Sequence, residues 1–100
     1  MTRVTNRNHF VVAYDIADDR RRTDVFETCK DFGNHVQYSV FLCELDRSEM
    51  MSLREILREI IHHADDQVLL VDLGPATHAV LDQMEVLGQP YDPPGRRFVV

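Results

Sequence analysis

The chain has no apolar run that approaches the roughly 20 residues of a membrane-spanning helix. No apolar segment with a cleavage site follows its basic N-terminal residues, so we expect no signal peptide. Repeats, low-complexity tracts and internal linkers are also missing, and 100 residues suffice for one hydrophobic core. These absences predict a single domain over residues 1–100, cytoplasmic and without membrane contact.

Cysteine is scarce, and a surplus of basic charge is missing. Cys29 and Cys43 lie in apolar contexts far from any metal-ligand spacing, which predicts reduced thiols rather than a disulfide. The net charge of −6 argues against binding nucleic acid by bulk attraction, although a local basic patch can act if the acids lie on another face. We therefore expect a second subunit or a partner to contribute. The basic residues cluster at Arg3/Arg7, Arg20–Arg22 and Arg96–Arg97.

Hydrophobic periodicity predicts strands at 11–16 and 67–73 and helices at 19–32 and from about residue 46 to 61. No Gly, Pro or Asn interrupts residues 35–45, so we predict one long strand, bent near Ser39, rather than a tight hairpin. In the tail, 82–100, we predict a short strand at Met84–Leu87 and an edge strand at Arg96–Val100, available for pairing with another subunit. This order predicts an α/β (α+β) two-layer sandwich with two helices on one face of the sheet.

Asp15 is the residue whose position most needs an explanation. It follows the apolar run Val11–Val12–Ala13–Tyr14, which is typical of a strand buried on both faces, and a carboxylate buried there is costly without a cation or a hydrogen-bond partner. With Asp18 and Asp19 it forms an acidic group that suits a hard cation such as Mg²⁺. The alternative is structural: Asp15 caps the next helix or pairs with Arg21 or Arg22.

Three other constellations offer alternatives. The segment Leu69–Gly74 resembles the strand that carries the phosphoacceptor Asp of receiver domains, here Asp72, but too few residues follow and the only lysine is Lys30. His62–His63 with Asp65–Asp66 offers metal-ligating residue types, which are also ordinary turn residues. Ser39 with a nearby histidine lacks the strained glycine-flanked turn of a nucleophilic serine.

Three motifs together are more specific. Tyr14–Asp15–Ile16 ends the first strand, Arg21–Arg22 opens the first helix, and Gly33–Asn34–His35–Val36–Gln37–Tyr38–Ser39–Val40–Phe41 follows. This pattern closely resembles the CRISPR-associated protein 2 family, the small endonucleases of the CRISPR spacer-acquisition machinery. The resemblance extends from Phe10 to Gly88. It implies a ferredoxin-like fold with an antiparallel sheet, working as a homodimer.

The resemblance also implies a site and a reaction. Asp15 would face its twin across the two-fold axis and hold Mg²⁺ (or Mn²⁺), because two close carboxylates repel and need a shared cation. The implied reaction is hydrolysis of phosphodiester bonds in RNA or duplex DNA, with the cation activating water. Further catalytic positions implied around Asp15 are Tyr14, Arg22, Ser39 and Phe41.

Partners are implied in the same way. Family members bridge a CRISPR-associated integrase and carry spacer-precursor DNA, and phosphate contacts from Arg20, Arg21 and Arg22 would suit a carrier that tolerates any sequence. The C-terminal Phe98–Val100 would pair with the sister subunit or the integrase. His35 and Thr23–Asp24 depart from the basic residues common in the family.

Two functions of other classes stay open beside the endonuclease. One is a non-catalytic, DNA-carrying scaffold, which the acidic charge favours. The other is a regulatory module of ferredoxin-like fold that binds a small ligand, and only the fold supports it.

Overall fold

The computed structural model describes residues 6–91, apart from the side chain of Leu81. Within this range no helix is long and apolar enough to cross a membrane. The elements follow the order strand, helix, strand, strand, helix, strand, and a single 3₁₀ turn. They are β1 (Asn8–Asp15), α1 (Asp19–Lys30), β2 (Gly33–Gln37), β3 (Val40–Leu45), α2 (Arg47–Ile60), β4 (Gln67–Pro75) and the 3₁₀ turn Val80–Gln83.

The four strands form one antiparallel sheet in the order β2-β3-β1-β4. Val12 of β1 pairs with Phe41 on one side and with Leu70 on the other, so β1 is central. The register of β1 against β4 shifts between Asn8 and Phe10. This topology confirms the predicted ferredoxin-like α+β sandwich, and its antiparallel pairing excludes the receiver alternative, whose sheet is parallel.

Both helices pack on one face of the sheet, as predicted. Each begins at an aspartate: Asp18 accepts the backbone N–H of Arg21, and Asp46 forms a reciprocal capping box with Glu49. One core forms between the layers. Its fully buried members are Val12, Val25, Cys29, Phe41 and Leu53.

The other face of the sheet is uncovered within residues 6–91. Side chains alternate along a strand, so Val11 and Ala13 point away from the helices while Val12 and Tyr14 point toward them. On β4 the side chains of Leu69, Val71 and Leu73 are 50%, 45% and 53% exposed. We call the surface of Val11, Ala13, Leu69, Val71 and Leu73 the open face.

The predicted single strand over 35–45 is wrong, because residues 33–45 form the hairpin β2–β3 with its turn at Tyr38 and Ser39. The turn needs no glycine, since no non-glycine residue between 6 and 91 has a positive φ. Contacts outside the turn stabilise it instead. The N–H of Tyr14 donates to the carbonyl of Ser39 at 3.1 Å, and His35 Nε2 lies 3.0 Å from the carbonyl of Tyr38.

The tail also differs from prediction in its described part. Met84–Leu87 forms no strand, and Leu87 is 84% exposed. The predicted edge strand at Arg96–Val100 lies outside the described residues, as do Arg3, Arg96 and Arg97. The predicted apolar stripe of α2 is right at Leu53 and Leu57, whereas Ile56 is 41% exposed.

Both cysteines are free and buried in the core. Burial raises the pKa of Cys29 to about 12 and that of Cys43 to about 11. Because the thiolate is the reactive form, we expect both to react with a disulfide reagent at about pH 8 at least ~100-fold more slowly in the native protein than in guanidinium chloride. Two rapidly reacting thiols in the native protein would contradict this placement.

Candidate functional site

Asp15 occupies the last position of β1, where it pairs with Gln67 of β4. Asp15 is exposed, so the prediction that its carboxylate is buried is wrong for the single chain. No group in residues 6–91 donates a hydrogen bond to its carboxylate, and it neither caps α1 nor pairs with an arginine. Strand alternation places it on the same side of the sheet as Ala13 and Val11. The structure therefore presents an available carboxylate at the end of the open face.

The turn after Asp15 is fixed by Asp66, whose side chain has no exposed surface. Asp66 accepts four hydrogen bonds: from Arg21 Nε at 2.7 Å and Nη2 at 3.1 Å, from the N–H of Ala17 at 2.9 Å, and from the N–H of His62 at 2.7 Å. The hydrogen bonds from Arg21 are the main reason why the pKa of Asp66 lies well below its usual range. We call Asp66 with its donors Arg21, Ala17 and His62 the Asp66 clamp.

The three arginines of α1 have different surroundings. Arg21 belongs to the clamp. Arg22 donates from Nη1 to Asp19 at 2.6 Å and from Nη2 to the carbonyl of Ile16 at 3.0 Å. Arg20 is exposed and contacts no acceptor within residues 6–91. Of the three predicted nucleic-acid contacts, Arg20 is thus the most available, Arg22 retains free N–H groups, and Arg21 is occupied.

The remaining predicted site residues lie toward the helices rather than beside Asp15. Tyr14 is 7% exposed and stacks on Phe41, with 6.4 Å between ring centroids, and Phe41 is fully buried. Ser39 is half-buried in the hairpin turn and contributes its carbonyl to Tyr14. The site residues predicted from the sequence therefore do surround the end of β1, but they lie on two different faces of the sheet.

The weaker sequence alternatives also have structural explanations. Asp72 accepts hydrogen bonds from the Asn8 amide at 2.9 Å and from the Gly74 N–H at 2.8 Å, which fix the end of β4. Both carboxylate oxygens of Asp66 already accept hydrogen bonds from N–H groups of the clamp. They are therefore not available as metal ligands in the cluster suggested by His62–His63 and Asp65–Asp66. Within residues 6–91 no group of three or more His, Cys, Asp or Glu side chains could hold a metal ion.

The fold and this site define a class: a ferredoxin-like domain with an exposed aspartate at the end of its first strand. The family model described as CRISPR associated protein Cas2 matches residues 8–79. The chain belongs to this family, which confirms the resemblance found in the sequence.

Comparisons with individual proteins support the same family assignment. The chain is 42% identical over 100 residues to CRISPR-associated endoribonuclease Cas2 1 of Rhodospirillum rubrum, covering 99% of this chain and 97% of the relative. It is 40% identical over 91 residues to CRISPR-associated endoribonuclease Cas2 of Geobacter sulfurreducens, covering 91% and 95%. The crystal structure of Streptococcus pyogenes Cas2 at pH 6.5 superposes with a TM-score of 0.69 at 28% identity, covering 80% of this chain and 99% of that one.

Proposed function

We propose that the chain is a divalent-metal-dependent endonuclease of CRISPR spacer acquisition and that it works as a homodimer. The observation that carries this proposal is the exposed carboxylate of Asp15 at the end of the open face, which has no partner among residues 6–91. Membership of the Cas2 family and relatives named endoribonucleases support the nuclease class.

The open face supports the homodimer. Three large apolar side chains on β4 are about half exposed, and burying apolar surface of this kind favours association. A second copy packed on this face would cover them. Because Asp15 lies at the end of the same face, a two-fold axis roughly parallel to β1 would bring the two Asp15 carboxylates toward one another, since the same ends of both copies would then meet.

The residues present fit a shared cation. Mg²⁺ and Mn²⁺ take oxygen ligands, and Mg²⁺ usually keeps several waters, so one or two carboxylates suffice. Asp15 from each copy would hold the ion, since all lone pairs of its carboxylate are available within residues 6–91. When bound, the ion supplies Lewis-acid stabilisation of the phosphoryl oxygen and an activated water.

The chain's own cations would position the substrate. Arg20 has no acceptor within the described range and so could contact a phosphate, and Arg22 retains N–H groups beyond its bonds to Asp19 and Ile16. Arg21 acts indirectly, because its guanidinium fixes the turn after Asp15 through the Asp66 clamp. Phosphate contacts carry no sequence information, which suits a nuclease or a carrier that accepts any sequence.

The test is a cleavage assay with the purified protein on single-stranded RNA and on duplex DNA, with Mg²⁺, with Mn²⁺ and with a chelator. We expect cleavage that needs the metal and falls at least ~100-fold in Asp15→Asn, because the substitution removes the charge that would hold the cation. The preferred substrate, RNA or duplex DNA, is read from the same assay.

Asp24→Asn is the matched control, since Asp24 is also exposed but lies on the outer surface of α1. It should cleave within about 2-fold of the wild type, because surface substitutions of this kind perturb the fold little. Metal-dependent cleavage that survives Asp15→Asn would rule out Asp15 as the ligand. Sedimentation of both variants checks that dimerisation is unchanged.

A scaffold that bridges the integrase and carries DNA is the second candidate function. The net charge of −6 favours it, because a chain with excess acidic charge attracts nucleic acid poorly on its own. On this proposal Asp15→Asn leaves spacer integration by the assembled complex intact, whereas loss of integration together with cleavage would oppose it. Deleting Phe98–Val100 tests assembly, and these residues lie outside the described range.

A further inference from the structure

A cleft opens beside the hairpin turn, on the helix side of the sheet and away from the open face. Its volume is about 320 Å³, at the lower end of pockets that hold small ligands. We call it the Tyr38 cleft. It is lined by Tyr14, Arg22, Thr23, Phe26, His35 and Tyr38.

The wall of the cleft is aromatic and fixed by packing. The His35 ring lies edge-on to Phe26 with 5.0 Å between centroids, and 4.9 Å from the buried ring of Phe41. Its Nε2 atom lies 3.0 Å from the carbonyl of Tyr38, so the ring is also tied to the turn. The wall is therefore preformed, which lowers the entropic cost of binding a flat ligand.

Polar groups converge on the same cleft. The hydroxyl of Tyr14 has no hydrogen-bond partner among residues 6–91 and is not sealed from solvent. Burial raises the pKa of Tyr14, so the phenol remains a neutral O–H donor at neutral pH. Arg22 adds a cation whose Nη1 and Nη2 atoms donate to Asp19 and Ile16, while its Nε–H and further N–H groups have no acceptor in the described part of the chain.

Tyr38 at the tip of the turn is the most unusual residue lining the cleft, because it is 80% exposed. An aromatic ring held out beside a cation is the arrangement that binds unpaired nucleobases: the base stacks on the ring and the cation contacts the backbone. A base inside a duplex is stacked on both faces and cannot use such a platform. Stacking is tolerant of sequence, since every base has a π-face.

We propose that the Tyr38 cleft binds one unpaired nucleobase of a single-stranded nucleic acid, which stacks on Tyr38 while Arg22 contacts the adjoining phosphate. This inference rests on the proposed function, since it names how a nuclease or carrier of this fold would hold an unpaired segment. It adds a contact on the helix side of the sheet, separate from the open face where Asp15 lies.

Fluorescence offers a direct test, because the chain contains no tryptophan. Tyr38→Trp places a single fluorophore at the cleft, and Met51→Trp places one on α2, where Met51 is 55% exposed, as the control. With a chelator present to prevent cleavage, a short single-stranded oligouridine should quench Tyr38→Trp saturably and leave Met51→Trp unchanged. A duplex of matched length should quench neither.

Binding of the same labelled oligouridine to the tyrosine variants completes the test. Tyr38→Ala should bind about 10-fold more weakly, while Tyr38→Phe, which keeps the ring, should bind within about 2-fold of the wild type. Equal affinity in Tyr38→Ala would overturn the proposal. So would equal quenching by an abasic oligomer, since that would show a contact with the backbone alone.

The outcomes separate this inference from the nuclease. If cleavage requires Asp15 but the oligouridine does not quench Tyr38→Trp, the proposed nucleobase site in the cleft is wrong and the proposed nuclease function stands. If the oligouridine quenches Tyr38→Trp but no cleavage occurs, the nucleobase site is supported and the proposed nuclease function is wrong. Quenching by an aromatic peptide but not by the oligouridine would overturn the nucleobase assignment in favour of a protein ligand.

Discussion

Replacing Gly33 by alanine is expected to destabilise the protein by about 3 kcal/mol and to lower its melting temperature by roughly 12–24 °C. Gly33 begins β2 and pairs with Cys43 of β3. A Cβ atom at this position would collide with Sγ of Cys43 and would lie 2.6 Å from the carbonyl oxygen of Leu42 and 3.0 Å from Cys43 Cα. Two of these three atoms belong to the backbone, so no side-chain rotation can relieve the overlap.

Relief would require β2 to move away from β3, and β2 is an edge strand with no second strand beside it within residues 6–91. Movement of β2 would also displace His35 from Phe41. Thermal unfolding followed by circular dichroism measures the effect, and a domain of this size is expected to unfold in two states. We expect the loss of stability to come mainly from weaker packing of the β2–β3 hairpin.

The matched control is Asn34→Ala, because Asn34 is the exposed neighbour in the same strand. It should change stability by less than about 0.5 kcal/mol. A double-mutant cycle with Cys43→Ala separates the two causes: it should recover the part of the loss due to Sγ and leave the part due to the Leu42 carbonyl. A melting temperature of Gly33→Ala within error of the wild type would mean that β2 and β3 are not this close.

The elements that the sequence predicted well are those whose local signals and burial agree. In α2 the apolar stripe Leu53–Leu57 repeats at helical spacing, and Asp46 with Glu49 forms the capping box at its start. The observed helix, Arg47–Ile60, therefore begins where the sequence indicates. The same holds for α1 with its cap Asp18 and for the start of β4 at Gln67, whereas β1 is present as predicted but begins at Asn8 rather than Val11.

The elements that it predicted poorly depend on contacts between distant residues. The hairpin turn contains no Gly, Pro, Asn or Asp, and a hydrogen bond from the N–H of Tyr14, in another strand, stabilises its conformation. The apolar strand predicts a buried Asp15, but the strand ends at this residue and its side chain reaches solvent. In both cases the local pattern correctly indicates β structure, while tertiary packing sets the position where the strand ends or turns.

The Asp66 clamp could not be predicted for the same reason. Arg21 and Asp66 are 45 residues apart, and in the sequence Asp66 is one of two adjacent acids after a helix. Nothing local distinguishes it from Asp65, which is exposed and lies 3.3 Å from His62 Nδ1. The distinction arises only when β4 brings the turn after α2 beside the turn after β1.

Asp66→Asn is the second substitution with a large expected effect, and we expect it to lower the melting temperature more than any other single Asp→Asn change in residues 6–91. All four groups that face the Asp66 carboxylate are N–H donors. The asparagine amide would turn an N–H₂ group toward one or more of them and leave the guanidinium of Arg21 without its counter-charge. Asp65→Asn is the control and should have little effect, because surface ion pairs contribute little.

The clamp also predicts a pH dependence of stability. The pKa of Asp66 is lowered in the folded state by the hydrogen bonds from Arg21, so folding is favoured while the carboxylate is ionised. Its contribution is complete above the unfolded value of about 3.9 and is lost as the pH falls below that value toward the lower folded pKa. The difference in melting temperature between wild type and Asp66→Asn should therefore be constant from about pH 5 to 7 and should shrink steadily below about pH 4.

A difference that stays constant to the lowest pH at which the protein folds would show that the charge of Asp66 does not stabilise the fold. The same variant connects stability to the site, because Ala17 is two residues from Asp15 and donates directly to Asp66. If the clamp positions the turn after β1, Asp66→Asn should reduce Asp15-dependent cleavage even at temperatures where the variant is fully folded. Arg21→Lys should reduce it less, since lysine restores the charge without the two-pronged geometry of the guanidinium.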